Sequence, residues 1–407
     1  MRLLFLNRSF WPDPEATGQL LTELCADLRH EHDVSVIAGP SYHVSTPLRG
    51  LWRHDALDGV DIIRTWGTVF PKRRLLARLL NLGSYYALAA AAALRSARPD
   101  VVIAETDPPL LGLLGTLLQA RWRCRFLYYC QDIYPDIAEV TGGIRSRPLL
   151  ALLARANRLA YQRADLIVVL GEDMRRRLMS KGVPPGRIVV LPNWVDCSVI
   201  RPLSQNGFRS QFGNKFVVMY SGNLGLSQQL ESVMEAARQL RDNGRVVFAF
   251  IGEGARKPWL EQRAHRDGLG NVCFLPYQPK QALAESLGAA DLHLVPLQAG
   301  LAGCMVPSKV YGILAAGRPY VAMMDHDADV AMLARESRLG FVCPPGDAAA
   351  LARVISEAVA NPDELRAMGL RARAVAERCF DRPLLTRRFG QLVAGLERRI
   401  KDIGPPF

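Results

Sequence analysis

The chain has no run of roughly 18 apolar residues, the length a helix needs to cross a bilayer. Its nearest approach, Leu82 to Leu94, is alanine-rich and flanked by arginine. The N-terminal MRLLFLNRSF is too short and too polar for a signal peptide and reads as a first strand. Eight cysteines are scattered from position 25 to 379 with no CxxC pair, which argues against a zinc module or a disulfide framework. They fit reduced core residues, and so a cytosolic compartment. Seven dispersed histidines and no HExxH leave no metal site to expect. No phosphate-binding loop ending in GK[ST], no dinucleotide-binding GxGxxG and no GxSxG nucleophile elbow is present. Hydride transfer with a nicotinamide cofactor therefore has no support, and no cofactor is called for. No base-stacking motif or basic stripe of a known module supports nucleic-acid binding.

What the chain does have is length, apolar content and positive charge. Its 407 residues exceed one core of ordinary size, so two domains are expected. Hydrophobic content of 49% and charged content of 22% describe a globular protein. A net charge of +12 favours anionic partners.

Apolar runs of strand length alternate with helical patterns throughout, the signature of parallel α/β sheets. Arg2 to Asn7, Val34 to Ala38, Val60 to Thr65, Val101 to Glu105, Arg125 to Tyr129, Leu166 to Leu170 and Ile188 to Leu191 read as strands of a first domain. A linker near Arg201 leads to a second series: Phe216 to Tyr220, Val246 to Ile251, Val272 to Leu275, Leu292 to Pro296, Tyr320 to Ala322 and Gly340 to Cys343. Residues 1–200, 201–380 and 381–407 are the expected first domain, second domain and closing helix. Between strands, Lys72, Arg73, Arg74 and Arg78 interleave with Leu75, Leu76, Leu79 and Leu80. Basic and apolar residues so mixed suit a helix resting on an anionic membrane surface.

Polar residues at the carboxyl ends of parallel strands are site candidates, because open α/β sheets bind ligands there. Gln131 and Asp132 follow one such strand, and Gly18 and Gln19 lie in the segment after the first. In the second domain, glycine-bearing loops follow several strands: Gly222 and Gly225, Gly252 and Gly254, Gly300 and Gly303. Loops at one sheet edge converge, and their amides can hold a nucleotide diphosphate. The stretch from Gly300 to Ala322 enters a helix at Pro307-Ser308-Lys309 and leaves it at Gly317, with Pro319 beyond. Lys309 adds a full charge at that helix start.

The motifs Tyr220-Ser-Gly-Asn-Leu-Gly225, Ile251-Gly-Glu-Gly254 and Pro307-Ser-Lys-Val-Tyr-Gly-Ile-Leu-Ala-Ala-Gly-Arg-Pro319 resemble those of two-domain GT-B glycosyltransferases. More narrowly, they resemble the retaining family four in its bacterial polysaccharide branch, which holds colanic-acid-type and N-acetyl-fucosaminyl transferases. Phe10-Trp-Pro-Asp-Pro-Glu-Ala-Thr-Gly18, Gln131-Asp-Ile-Tyr-Pro-Asp136 and Pro192-Asn-Trp-Val-Asp196 match the same group. The resemblance implies two Rossmann-like domains facing a central cleft, with a C-terminal helix crossing back to the first. It implies a metal-independent transfer of a sugar from a nucleoside diphosphate, UDP before GDP, to a lipid-linked saccharide at the cytoplasmic membrane face. Gly222, Asn223, Gly225, Gly252, Gly254, Pro307 and Ser308 would then hold the donor phosphates, and Tyr277 and Gln278 would border the base. Lys257 and Lys309 would neutralise the leaving diphosphate. Gly18, Gln19, Gln131 and Asp132 would face the reacting sugar and the acceptor, and Lys309, Lys257 and Asp132 would be the catalytic residues.

This chain departs from the family pattern in three places. Gly312 and Cys304 stand where two glutamates are usual, Asn223 and Gln228 where an arginine and a lysine are, and Gln131 where a histidine is. These departures leave two alternatives: a catalytically inactive GT-B-like partner protein, or a sugar-nucleotide epimerase on the same fold.

Overall fold

The computed structural model describes residues 1–13, 15–41, 50–68, 70, 75–225 and 228–401. The chain divides into two compact units. One runs to Pro192 and is rejoined by the chain from Leu385 onward; the other is Asn193–Leu384.

Strands such as VVIA and LIVV are apolar at every position, so they must be covered on both faces, and parallel sheets with flanking helices do this. The first unit alternates accordingly: β1 (Arg2–Leu6), α1 (Ala16–Leu28), β2 (Asp33–Ala38), β3 (Trp52–Leu57), β4 (Val60–Thr65), α2 (Leu75–Arg95) and β5 (Val101–Ala104). It continues with α3 (Leu111–Trp122), β6 (Arg125–Cys130), α4 (Asp136–Val140), α5 (Arg147–Arg163), β7 (Leu166–Val169), α6 (Glu172–Ser180) and β8 (Ile188–Val190). The sheet order is β3-β4-β2-β1-β5-β6-β7-β8, parallel except for β3.

Strand β3 was not anticipated. Its sequence, WRHDAL, is half exposed at the sheet edge and lacks the apolar run of its neighbours. It pairs antiparallel with β4 through Asp58-Gly59, both at positive φ (49° and 83°). Asp-Gly between two short runs is a hairpin signal, and here it outweighs the weak strand pattern.

The second unit contains β9 (Phe216–Ser221), α7 (Glu231–Gln239), β10 (Val246–Ile251), α8 (Lys257–Arg266), β11 (Val272–Leu275), α9 (Leu283–Gly288) and β12 (Leu292–Pro296). After these come α10 (Lys309–Ala315), β13 (Tyr320–Met323), α11 (Asp329–Glu336), β14 (Gly340–Cys343), α12 (Ala348–Ala360) and α13 (Pro362–Val375). Its sheet, β11-β10-β9-β12-β13-β14, is parallel throughout. Phe248, Phe250, Val233, Met234 and Leu351 are among its buried core residues.

The last helix, α14 (Arg382–Lys401), begins in the second unit and belongs to the first from Leu385. Phe389 anchors it, fully buried with its ring 6.4 Å from Phe5 and 5.2 Å from Tyr129. Removing such a buried ring costs about 3–5 kcal/mol. Among the described residues no helix is long and apolar enough to cross a membrane.

In each sheet the chain leaves a central strand one way and later returns on its other side. In the first, β1 lies between β2 and β5; in the second, β9 lies between β10 and β12. At such switch points the loops after the two central strands diverge and open a crevice.

Candidate active site

The switch point of the first sheet holds a cavity of about 240 Å³, lined by residues from the loops after β1, β5 and β6 and from the first turn of α1. Asp107 organises one side of it. Its carboxylate accepts a hydrogen bond from Ser9 Oγ at 2.6 Å and lies 3.1 Å from the Arg8 guanidinium. Asp107 opens no helix: α3 begins only at Leu111, after a left-handed Leu110, and the Asp107 carboxylate is taken by the loop after β1.

Glu105 lies deeper, 1% exposed, at the end of β5. Burial pushes its carboxyl well above the usual range; Asp107 adds to this, the amide of Gln131 opposes it, and Asp132 adds again. Asp132 receives no help from a helix start, because α4 begins four residues later behind Pro135. Its backbone N–H donates to Thr106 Oγ1 at 3.1 Å. Its carboxyl is pushed up to about 7, first by burial and then by Asp107. A carboxyl balanced near neutrality is suited to accepting a proton from a hydroxyl.

Of the four residues expected to face an acceptor, Gln131 and Asp132 line the cavity; Gly18 and Gln19 do not. A Cβ at Gly18 would stand 3.1 Å from the Ser9 carbonyl carbon, so the close approach made there is by the chain's own loop. The other lining residues, among them Arg8, Ser9, Glu15, Glu105 and Asp107, were not anticipated as site residues. Glu105 carried the same signal as Gln131, a polar residue ending an apolar strand, and could have been found by it.

The second sheet gathers a different chemistry at its switch point. Lys309, the first residue of α10, sends Nζ back toward the loop after β9. There it sits 3.6 Å from the centroid of the Tyr220 ring. This Nζ is shielded from solvent and makes no hydrogen bond among the described residues. Burial lowers its pKa to about 7. A Cβ at Gly222 would stand 3.3 Å from it, so glycine keeps the space beside the ammonium clear.

The glycine loops do not all stand as a phosphate cradle would require. Gly222 N–H donates to Ile251 O and Leu224 N–H to Glu253 O, so two of the amides are already committed. A Cβ at Gly252 would lie 2.1 Å from Gly222 O, and one at Gly254 would lie 2.4 Å from Leu224 O. These two glycines serve the packing of one loop on the other, with φ of 143° and 157°. Gly225 and Gly254 flank the Asn223 amide, since a Cβ at either would fall within 2.9 Å of it.

Lys257 is not a free cation: its Nζ pairs with Glu253 Oε1 at 2.6 Å. In the first turn of α10, Val310 N–H is taken by Pro307 O and Tyr311 N–H by Ser308 O, which leaves fewer amides for a phosphate than the helix start suggested. Tyr277, half exposed, and Gln278 follow the edge strand β11, two strands out from β9. A side chain at Gly312 would meet Leu287 Cδ1 at 3.2 Å, so this position is shaped by helix packing. Cys304 is buried, with Sγ 3.8 Å from Gly300 O. The sequence Asp325-His-Asp-Ala-Asp329 has the spacing of a carboxylate metal motif. Asp325 accepts the Gly300 N–H at 3.0 Å instead, and no metal-holding group of three or more His, Cys, Asp or Glu occurs among the described residues.

Known proteins match both units. A family model described as a glycosyl transferase 4-like domain matches residues 16–194, and one described as glycosyl transferases group 1 matches residues 215–361. A protein of Escherichia coli K12 named as a colanic acid biosynthesis glycosyl transferase, WcaI, is 30% identical over 96% of this chain and 98% of its own. Sucrose-phosphate synthase of Thermosynechococcus elongatus has the same fold, with a TM-score of 0.80 at 17% identity over 98% of this chain and 100% of its own. Anabaena HepE, solved with UDP and glucose, gives 0.74 at 18% identity over 97% and 100%. Two Rossmann-like sheets, family matches in each unit and a relative matched over nearly its whole length lead to one conclusion: the chain belongs to the group 1 glycosyltransferases of the GT-B fold.

Proposed function

We propose that this protein is a retaining glycosyltransferase of bacterial cell-surface polysaccharide synthesis. It takes a sugar from a nucleoside diphosphate, UDP before GDP, and transfers it to a lipid-linked saccharide at the cytoplasmic face of the membrane. The observation that carries this reading is Lys309: a buried ammonium with no anion of its own among the described residues, held over Tyr220 at the sheet's switch point beside Gly222. A diphosphate supplies the missing counter-charge, and the stabilisation is greatest as the leaving group gains charge. The WcaI name and the UDP held by HepE support the polysaccharide role and the choice of base.

In this reading the second unit binds the donor and the first the acceptor. Lys309 and the loops bearing Gly222, Asn223, Gly225, Gly252 and Gly254 receive the phosphates, with Pro307 and Ser308 beside them. Tyr277 and Gln278 border the base, and Lys257 contributes only after exchanging Glu253 for phosphate. Asp132 accepts the hydrogen bond of the attacking hydroxyl, and Gln131 and Glu105 shape the space around it. As the anomeric carbon's bond to the diphosphate oxygen breaks and its bond to the acceptor oxygen forms, the hydroxyl proton passes to the Asp132 carboxylate and the nucleoside diphosphate leaves.

The Lys72–Arg78 segment belongs to the proposed membrane contact. Lys72, Arg73 and Arg74 lie outside the described residues, as does the Arg78 side chain. Thermal unfolding with UDP-, GDP- and dTDP-sugars tests the donor. A UDP-sugar should raise the midpoint most, by mass action. Loss of that shift in Lys309→Ala would tie it to this site; no shift with any nucleotide would favour an inactive partner protein.

A further inference from the structure

Helix α5 is attached to its unit by a narrow seam. It packs on α3 and β6, yet only Asn157, Ala160 and Tyr161 of its 17 residues are buried. Asn157 secures that seam, donating to Tyr134 O at 2.7 Å and accepting from Tyr128 OH at 3.1 Å. Leu150, Leu153 and Ala156 are half-buried beside that seam; the rest of the helix faces outward, and what it presents is unusual for a solvated surface. Leu149, Leu152 and Leu159 are 40%, 63% and 43% exposed. At about 100° per residue they fall within an arc of roughly 80°. Leu117 on the adjoining α3 is also 50% exposed.

The charge around this stripe has one sign. Between Val140 and Ala164 stand Arg145, Arg147, Arg155, Arg158 and Arg163, with no aspartate or glutamate. None of the five is paired with a carboxylate among the described residues. Arg147 even occupies the first turn, which has no acidic residue and where the helix dipole disfavours a cation; Ser146 supplies no side-chain cap. Local stability would have chosen otherwise at each of these positions.

We propose that the outer face of α5 rests on an anionic lipid surface, with the leucines in the acyl boundary and the arginines among the headgroup phosphates. An amphipathic helix lying in the interface plane has this composition. Charge complementarity selects the occupant. A second copy docking face to face by a twofold axis would set arginine against arginine with no acid between them. A nucleic acid would leave the leucines without partners. The inference does not depend on the transfer reaction, because binding can be read with neither donor nor acceptor present.

Flotation of the full chain tests it, using phosphatidylcholine vesicles with and without phosphatidylglycerol. The protein should float with the anionic vesicles, less so as salt rises, and not with phosphatidylcholine alone. Two variants probe the two halves of the face: Leu149→Ser with Leu152→Ser and Leu159→Ser, and Arg147→Gln with Arg155→Gln and Arg158→Gln. Each should lower the partition coefficient at least about fivefold, since both apolar burial and charge contribute. All six positions are exposed, so the melting midpoint and its shift with UDP should stay as in the parent. The proposal is overturned if both variants float like the parent, or if only changing Lys72, Arg73, Arg74 and Arg78 to glutamine releases the protein. It is also overturned if the leucine variant converts a dimer to a monomer by light scattering, which would make the face a contact between copies.

Discussion

The two units repeat one architectural idea and fill it with opposite charges. Each opens a site where its parallel sheet reverses direction. The first places Glu105 and Asp132 there, carboxyls driven upward by burial; the second places Lys309, an ammonium driven downward by the same cause. Desolvation disfavours whichever form is charged, so both sites keep titrating groups near neutrality before any substrate arrives. An acidic cavity suits a neutral hydroxyl that must lose a proton, and a buried lysine suits a diphosphate that brings the missing charge. The backbones differ as well. The first site is held by side chains, chiefly Asp107 joined to Arg8 and Ser9, whereas the second relies on glycine and backbone contact between loops.

Breaking the acidic half should have the largest effect. Asp132→Asn keeps the shape and removes the proposed proton acceptor, so kcat should fall about 10²-fold. UDP-dependent thermal stabilisation should be unchanged, because the proposed nucleotide site lies in the other unit. A kcat within a few-fold of the parent would take Asp132 out of the reaction.

Next comes the backbone of the basic half. In Gly254→Ala the new methyl would stand 2.4 Å from Leu224 O at a φ of 157°. The loop must shift, at a cost of about 2 kcal/mol or more in urea unfolding. Nucleotide affinity should drop with it. Asp107→Asn should leave that affinity untouched, which would show that the two scaffolds fail independently.

The lysine itself should give the smallest change and the sharpest contrast. Lys309→Ala should lower turnover at least about tenfold, equivalent to about 1.4 kcal/mol. The pH dependence separates the halves. Lys309 is charged below about 7 and loses its proton above it, so kcat/KM for the donor should decline as pH rises through 7. Asp132 is ionised above about 7 and protonated below it, so the rate should also decline as pH falls through 7. The parent profile should be bell-shaped, with Lys309→Ala lacking the alkaline limb and Asp132→Asn the acidic one. A profile that keeps both limbs in both variants would dissociate these residues from the pH dependence.

Much of this was legible in the residues. Apolar runs located every parallel strand of both sheets, because a strand covered on both faces has no choice of composition. The edge strand β3 escaped, being half exposed and polar, and so did the short helices α4 and α11. Gln131 and Asp132 were found from their position after a strand. Glu105 and Asp107 were passed over, the first because it was absorbed into the strand before it.

Lys309 shows where such reading ends. Pro307-Ser308-Lys309 announced a helix start with a cation, and local sequence determined that much, since proline, serine and the following apolar spacing act over a single turn. Whether the cation would be solvated, paired like Lys257 with Glu253, or buried on an aromatic ring depended on what another strand brought beside it. Lys309 and Tyr220 are 89 residues apart in sequence and meet only because β12 pairs with β9. The same holds for Gly252 and Gly254, which the sequence marks as positions of backbone freedom. Strand pairing alone decided that this freedom admits a neighbouring loop, because the partner of a close contact is chosen by register across the sheet and not by spacing along the chain.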